Sequence, residues 1–298
     1  MKIEENSEML REMKWCKDLV DERLQELFAQ AGLSYATLVE SMRYSLLAGG
    51  KRVRAVICMK FCEAVGGKAE DALDAACAIE MLHTYTLIHD DLPSMDGDEM
   101  RRGMPSNHVV YGEFTATLAG DALQAAAFET IANIELPAES VVEMIRTLAY
   151  AAGAHGICGG QFLDLSGEGW HLTIDELLEL YSMKTAALIS AAAKLGVIAG
   201  DGTKRQMEAS DAYAQAIGLA FQIRDDVLDC IATADVLGKP IGSDVENDKS
   251  TFASLLGIEA CEKKIDKETK KAIEALEGKF ADNEFLKWLA QVLAERNN

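Results

Sequence analysis

Residues 69–89 read AEDALDAACAIEMLHTYTLIH. Glu70, Asp71 and Asp74 open the stretch, and Ala, Leu, Ile and Met then occupy nearly every face of a helix. A helix of that composition is stable only where neighbours cover it all round. The tract 186–199, AALISAAAKLGVIA, is of the same kind, and its alanines allow another helix to approach closely. Two such helices require a wrapped bundle of more than four. Only four prolines occur, at 93, 105, 137 and 240, so long tracts can stay helical. Thr173-Ile-Asp-Glu176 forms a capping box that opens a run to about Gly196, and the run from Ser41 to Ala48 stops on Gly49-Gly50. Strand-like alternation is scarce, and the expected class is all-α. Residues 259–279, dense in Lys and Glu, read as a solvated outer helix. With no repeat, linker or composition break, a single domain over 1–298 is expected.

The 298 residues are 49% apolar and 26% charged, an ordinary globular composition with material for a large core. Twenty-nine Lys and Arg stand against 49 Asp and Glu, a net charge of −20. That balance disfavours non-specific hold on nucleic acid or anionic lipid, so acidic partners must be met locally or through metal ions. No tract approaches the roughly 18 uninterrupted apolar residues of a membrane span, and the first residues lack the apolar core of a secretory signal. A cytoplasmic protein is expected. The seven cysteines are scattered, never spaced Cys-x-x-Cys, and read as buried thiols under reducing conditions.

Chemistry is concentrated in two acidic clusters. Asp90-Asp91-Leu-Pro-Ser-Met-Asp96-Gly-Asp98-Glu99 places five carboxylates in ten residues at the end of the buried helix. Crowded carboxylates are tolerated when solvated, partly protonated, or bridged by a hard cation that prefers oxygen ligands. In Gln222-Ile-Arg-Asp225-Asp226-Val-Leu-Asp229, residues 222, 225, 226 and 229 fall at i, i+3, i+4 and i+7 on a helix whose preceding turns are apolar. Two such patches on otherwise core-like helices point to divalent ions, most plausibly Mg²⁺ sharing its ligands with a phosphate. Basic groups flank both patches: Gly49-Gly50-Lys51-Arg52-Val53-Arg54, Arg101-Arg102-Gly103, Lys184-Thr185, Lys239-Pro240 and Lys249. Loop cations near helix starts suit diphosphate oxygens. P-loop, dinucleotide-fold, Gly-x-Ser-x-Gly and His-Glu-x-x-His signatures are absent. His83 lies seven residues before Asp90 and so reaches the same cavity or is a satisfied core histidine; His89 supports the carboxylates or simply packs.

In family order, the chain carries Gly-Gly-Lys-Arg-x-Arg at 49–54, Asp-Asp-x-x-x-x-Asp at 90–96 and Arg-Arg-Gly at 101–103. There follow Gly120-Asp121, Gly159-Gly160-Gln161-x-x-Asp164, Lys184-Thr185, Phe221-Gln-x-x-Asp-Asp-x-x-Asp229 and Gly238-Lys-Pro-x-Gly-x-Asp244. From about residue 40 onward this series resembles the short-chain trans-polyprenyl diphosphate synthases, most of all the bacterial farnesyl type. The resemblance implies an isoprenoid-synthase bundle of roughly ten or more helices around a central cavity, and a homodimer. It implies head-to-tail condensation of dimethylallyl or geranyl diphosphate with isopentenyl diphosphate, helped by about three Mg²⁺ ions, for which Mn²⁺ can substitute. By the same resemblance Asp90, Asp96 and Asp225 are the principal metal ligands, with Asp91 and Asp229 weaker ones. Arg101, Lys184 and Lys239 grip the allylic diphosphate; Gly50, Lys51, Arg54, His83 and Arg102 hold isopentenyl diphosphate; Lys249 helps close the metal site. Thr185 and Gln222 are candidate dipoles for the allylic cation, and the departing diphosphate takes the final proton. Tyr85 and Thr86, about one turn before Asp90, would floor the tail pocket and stop growth at farnesyl diphosphate. Geranylgeranyl diphosphate is the alternative product. A class I terpene cyclase would not need Lys51, Arg54 and Arg102, and a silent subunit of a heteromeric synthase would have lost an aspartate motif.

Overall fold

The computed structural model describes residues 2–29, 34–167, 171–231 and 250–296. Among these the chain is almost wholly helical, as expected, and it divides into two compact units: residues 1–148 with 192–202, and residues 149–191 with 203–298.

In the first unit the deciding stretch forms a 3-10 turn, Ala69–Ala72, that runs into α4, Leu73–Asp90. Helices α1 (Lys2–Leu27), α2 (Ala36–Leu46), α3 (Val53–Ala64) and α6 (Glu113–Ala132) pack around it. Ala75, Cys77, Ile79, Met81 and Leu82 are all fully buried, so α4 has no solvent face for most of its length. The short helix α5, Asn107–Tyr111, precedes α6.

Close helix approach in this unit is set by Gly196 on α10, Ala187–Ala199. A Cβ there would stand 2.0 Å from the Cys58 carbonyl oxygen of α3 and 3.0 Å from the Phe61 Cβ. Gly196→Ala would ordinarily gain about 1 kcal/mol in a helix interior. Here the new methyl meets backbone that cannot step aside, an overpacking cost of roughly 1–3 kcal/mol. We expect a net loss of stability, read as a lower urea midpoint at unchanged slope; equal or higher stability would show that α3 and α10 separate without cost.

The second unit is built on α11, Lys204–Ile231, against α13, Ile258–Leu276, with α8 (Ile157–Ser166), α9 (Ile174–Tyr181), α12 (Phe252–Leu256) and α14 (Glu284–Glu295) around them. Leu177, Leu180, Ile223, Val227, Phe252 and Ile265 form its core. Arg224 ties three helices together. Its Nε donates to the Ala294 carbonyl at 2.7 Å, and its two terminal nitrogens reach the Glu262 carboxylate at 2.7 and 2.6 Å.

Three features differ from the sequence reading. Residues 258–276 form an outer helix, but a strongly amphipathic one: Cys261, Ile265, Ala272 and Leu276 are buried together with Glu268 and Thr269, while the other Lys and Glu residues are exposed or half-buried. Met100–Arg101 and Met104–Pro105 pair as a short antiparallel hairpin. Of the seven thiols, Cys158 and Cys230 are exposed, and the other five are buried. The continuous run Ile174–Ala199 is long and apolar enough to cross a membrane by composition, yet 72% of its most apolar window is buried inside the structure. Its apolarity is that of a core helix.

Candidate active site

In the first unit, α4 ends at Asp90 with Asp91 as its C-cap. The following loop folds back, so that the Asp96 amide donates to the Asp90 carbonyl at 2.9 Å, bringing the first and last aspartates of the motif to one end of the helix. Their surroundings differ. Asp90 is half-buried and Asp96 exposed, whereas Asp91 is 2% exposed and accepts from Arg101 through Nε at 2.8 Å and through Nη2. The Arg101 Nη2 also reaches Asp98 at 3.1 Å. Asp91 was expected as a weak metal ligand; in this structure its carboxylate is instead engaged in orienting Arg101. The reason is its place as C-cap, where the side chain turns inward beneath the hairpin.

The basic groups of the same unit gather around Gly49 and Gly50, whose φ values of +85° and +129° give the chain a turn that other residues resist. Arg52 and Arg102 are held at φ +50° and +54°, uncommon for side-chain-bearing residues. Arg102 and Gly103 (φ +74°) both lie at positive φ in the hairpin turn, the geometry that matches strand twist. That turn brings the Arg102 guanidinium to the Gly49 carbonyl and places it where a Cβ on Gly50 would meet it at 3.1 Å. Arg54 approaches the Nε2 of His83 at 3.3 Å. Burial, then Arg54 and Arg102, hold the His83 imidazole well below its ordinary pKa, so it is neutral and can accept from Arg54. The Arg54 Nε is buried without a hydrogen-bond partner in the structure. An unsatisfied guanidinium N–H beside further cations is the setting an anion would complete.

Arg52, in the middle of the same motif, has the opposite character. Its guanidinium is fully buried and bound to Asp21 at 2.8 Å, Glu80 at 3.2 Å and the Leu46 carbonyl at 2.6 Å. It fixes the loop from which Lys51 and Arg54 project. Alternating basic residues in the motif carry no sign of which one is buried, so the sequence left this role unassigned.

Tyr85 is 5% exposed and sets its ring edge-on to His89, centroids 5.6 Å apart at 80°. The His89 Nε2 lies 3.0 Å from the Thr117 carbonyl of α6 and 3.9 Å from the Asp121 carboxylate. The Thr86 hydroxyl donates back to the His83 carbonyl at 2.8 Å.

In the second unit a cavity of about 180 Å³ opens among α8, α9, α11 and the start of α12. Its wall includes a single π-helical turn, Ser182–Ala186, within the otherwise α-helical run. Such turns displace side chains from the helical register and recur at functional sites. This one presents Lys184 and Thr185. Gly160 makes room for it, since a Cβ would fall 2.4 Å from the Lys184 amide nitrogen. Lys184 pairs with Asp164, and the Thr185 hydroxyl donates to the Gln222 Oε1 at 2.8 Å. Asp164, which the sequence reading quoted in a motif but gave no role, is thus part of the cavity.

Along α11, Asp225 and Asp226 separate by one step of helix rotation. The Asp225 side chain is 41% exposed and pairs with Arg296, whose guanidinium lies 3.7 Å over the Phe221 ring. Burial, and then Arg224, push the Arg296 guanidinium down to about 10. Asp226 is 4% exposed and turned into the unit. Asp229, one turn after Asp225, is half-buried. Lys239 and Lys249 lie outside the described residues.

Among the described residues no three His, Cys, Asp or Glu side chains form a closed metal cage. Each unit instead offers two carboxylates that are not fully buried, Asp90 and Asp96 in the first and Asp225 and Asp229 in the second. That donor set fits Mg²⁺, which is commonly held by one or two carboxylates and completed by waters and substrate phosphates.

Comparisons with known proteins agree with the architecture and the motifs. Polyprenyl synthetase, as a family, matches residues 35–293. The chain is 41% identical over 301 residues to a geranylgeranyl diphosphate synthase of Cyanophora paradoxa, covering 99% of each. It is also 41% identical over 265 residues to a farnesyl diphosphate synthase of Bacillus subtilis, covering 88% of this chain and 90% of that one. The crystal structure of a geranylgeranyl pyrophosphate synthetase from Pyrococcus horikoshii superposes with a TM-score of 0.89 at 35% identity, over 98% of this chain and 99% of the other. With a match that spans both units and takes in both aspartate motifs, the chain belongs to the polyprenyl synthetase family.

Proposed function

We propose that this prenyl diphosphate synthase condenses dimethylallyl or geranyl diphosphate with isopentenyl diphosphate, in a Mg²⁺-dependent reaction that gives mainly farnesyl diphosphate. The observation that carries the reading is the cluster of Lys51, Arg54, His83 and Arg102 about Gly49–Gly50, where a buried guanidinium N–H lacks a partner. A cyclase, which ionises one diphosphate, has no use for this second anion site. Condensation needs it to hold isopentenyl diphosphate.

When bound, Mg²⁺ would neutralise the diphosphate as it leaves the allylic carbon. Asp90 and Asp96 in the first unit, and Asp225 and Asp229 in the second, are each proposed as Mg²⁺-holding carboxylates, by the motifs they belong to. Arg101, held by Asp91 in the first unit, and Lys184, held by Asp164 in the second, are the cations proposed to bind diphosphate oxygens. Charge contacts that strengthen as the C–O bond breaks lower the barrier, because they act more on the transition state than on the substrate. Thr185 and Gln222 present oxygen dipoles to the allylic cation in a cavity whose remaining lining includes Leu172, Leu177 and Leu180. The new carbon–carbon bond leaves a cation whose proton passes to the departed diphosphate, so no side-chain base is required.

The farnesyl product is supported by the buried Tyr85 ring one turn before Asp90. Geranylgeranyl diphosphate is the second reading, supported by relatives of that name at 41 to 47% identity, against 41% for the farnesyl relatives. A homodimer is supported by Val109, Val110, Phe114 and Leu118 on α5 and α6, which expose apolar surface, Phe114 to 77%.

The test is product analysis. Purified protein with Mg²⁺, isopentenyl diphosphate and geranyl diphosphate is expected to form farnesyl diphosphate, and EDTA to abolish the reaction. Cyclised hydrocarbon as the sole product, or no turnover with metal present, would overturn the proposal.

A further inference from the structure

Asp226 stands beside an expected metal ligand, but its surroundings are those of a structural acceptor. The Tyr181 hydroxyl lies 2.9 and 2.8 Å from its two oxygens, sharing its proton between them, and the Phe252 amide donates to Oδ2 at 2.8 Å. The Tyr181 and Phe252 rings also touch, with centroids 5.6 Å apart. One buried carboxylate therefore joins the last residue of α9, the C-terminal part of α11 and the first residue of α12.

The register of this contact links it to the cavity. Tyr181 immediately precedes the π-helical turn, and Thr185 follows it by four residues. On α11, Gln222 precedes Asp226 by four residues, one turn along the same face. Tyr181–Asp226 and Thr185–Gln222 are thus two successive rungs between antiparallel helices, and both line the 180 Å³ cavity. A π-turn contains one residue more than the α-helix around it and persists only where its surroundings hold it. The first rung supplies that hold on one side.

We infer that Asp226 is a positioning residue, acting through Tyr181 to fix the π-turn so that the Thr185 and Gln222 dipoles face the reacting carbons, and that it is not a metal ligand. This deepens the proposed condensation and rests on it. The physical requirement is preorganisation: dipoles that stabilise a developing cation act fully only when they need not reorient as it forms.

The test separates positioning from ligation. Tyr181→Phe removes only the hydroxyl of the first rung. It is expected to lower kcat by roughly 10-fold to 100-fold, as for a small misplacement of reacting groups, with KM for isopentenyl diphosphate unchanged. In calorimetric titration with Mg²⁺ and inorganic pyrophosphate, Asp226→Asn is expected to bind like the unmodified protein, while Asp225→Asn binds at least about tenfold more weakly, the loss of a direct ligand. An unchanged kcat in Tyr181→Phe, or a loss of Mg²⁺-pyrophosphate binding in Asp226→Asn equal to that of Asp225→Asn, would overturn the inference. Should Asp226→Asn not fold, the kcat of Tyr181→Phe decides. An unmodified protein that neither turns over nor binds pyrophosphate with Mg²⁺ would instead defeat the condensation reading itself.

Discussion

Asp225→Ala is expected to lower turnover by on the order of 10³-fold or more, about 4 kcal/mol of transition-state stabilisation, while leaving isopentenyl diphosphate binding nearly intact. The asymmetry follows from the role proposed for each group. Asp225 is proposed to hold Mg²⁺ for the departing allylic diphosphate, whereas Lys51, Arg54, His83 and Arg102 are the groups proposed to hold isopentenyl diphosphate. Stability is expected to fall modestly, because Asp225 is 41% exposed but its partner Arg296 is largely buried and would lose its carboxylate, keeping the Phe221 ring beneath it. Single-turnover kinetics with geranyl diphosphate would measure the first quantity, calorimetry with isopentenyl diphosphate the second, and a thermal melt the third. A turnover loss of less than tenfold, or a parallel collapse of isopentenyl diphosphate affinity, would remove Asp225 from the metal site.

The second large effect concerns what is made rather than how fast. Tyr85→Ala is expected to shift the product from fifteen carbons toward twenty or more. The ring is buried near the C-terminal end of α4, and its only exposed surface is a few per cent. Truncation leaves a void lined by His89 and neighbouring apolar groups, into which a longer tail can extend. The same void costs stability, about 3–5 kcal/mol for removal of a buried aromatic ring, so the assay belongs at a temperature where the variant remains folded. Chromatography of dephosphorylated products reads the result. An unchanged product length in a folded variant would assign depth control to another residue, and a product already of twenty carbons in the unmodified enzyme would favour the geranylgeranyl reading.

Much of the fold was legible because its signals are local. An apolar tract without a polar face, as at 73–89, can only be an enclosed helix, and the capping box at Thr173 sets the start of α9 by its own hydrogen bonds. Residues 258–276 were less legible because charge density outweighs periodicity by eye. Four buried apolar positions, with Glu268 and Thr269 buried beside them, suffice to seat the helix on α11. The π-turn at Lys184–Thr185 was not legible at all. It arises where Gly160 and Gly218 let α8 and α11 press on that turn, a consequence of packing rather than of the turn's own residues.

By itself, then, the sequence determined that the chain is helical, that carboxylates cluster at 90–99 and 222–229, and that basic loops accompany them. Spacing placed those residues on helix faces and ends, since side-chain direction follows directly from 3.6 residues per turn. It did not decide which of two adjacent aspartates does what. Neighbouring residues on a helix point about 100° apart, and only packing determines which direction is core. Tertiary structure turned Asp91 under Arg101 and Asp226 against Tyr181, where buried carboxylates must be satisfied by donors, and left Asp90 and Asp225 only half-buried.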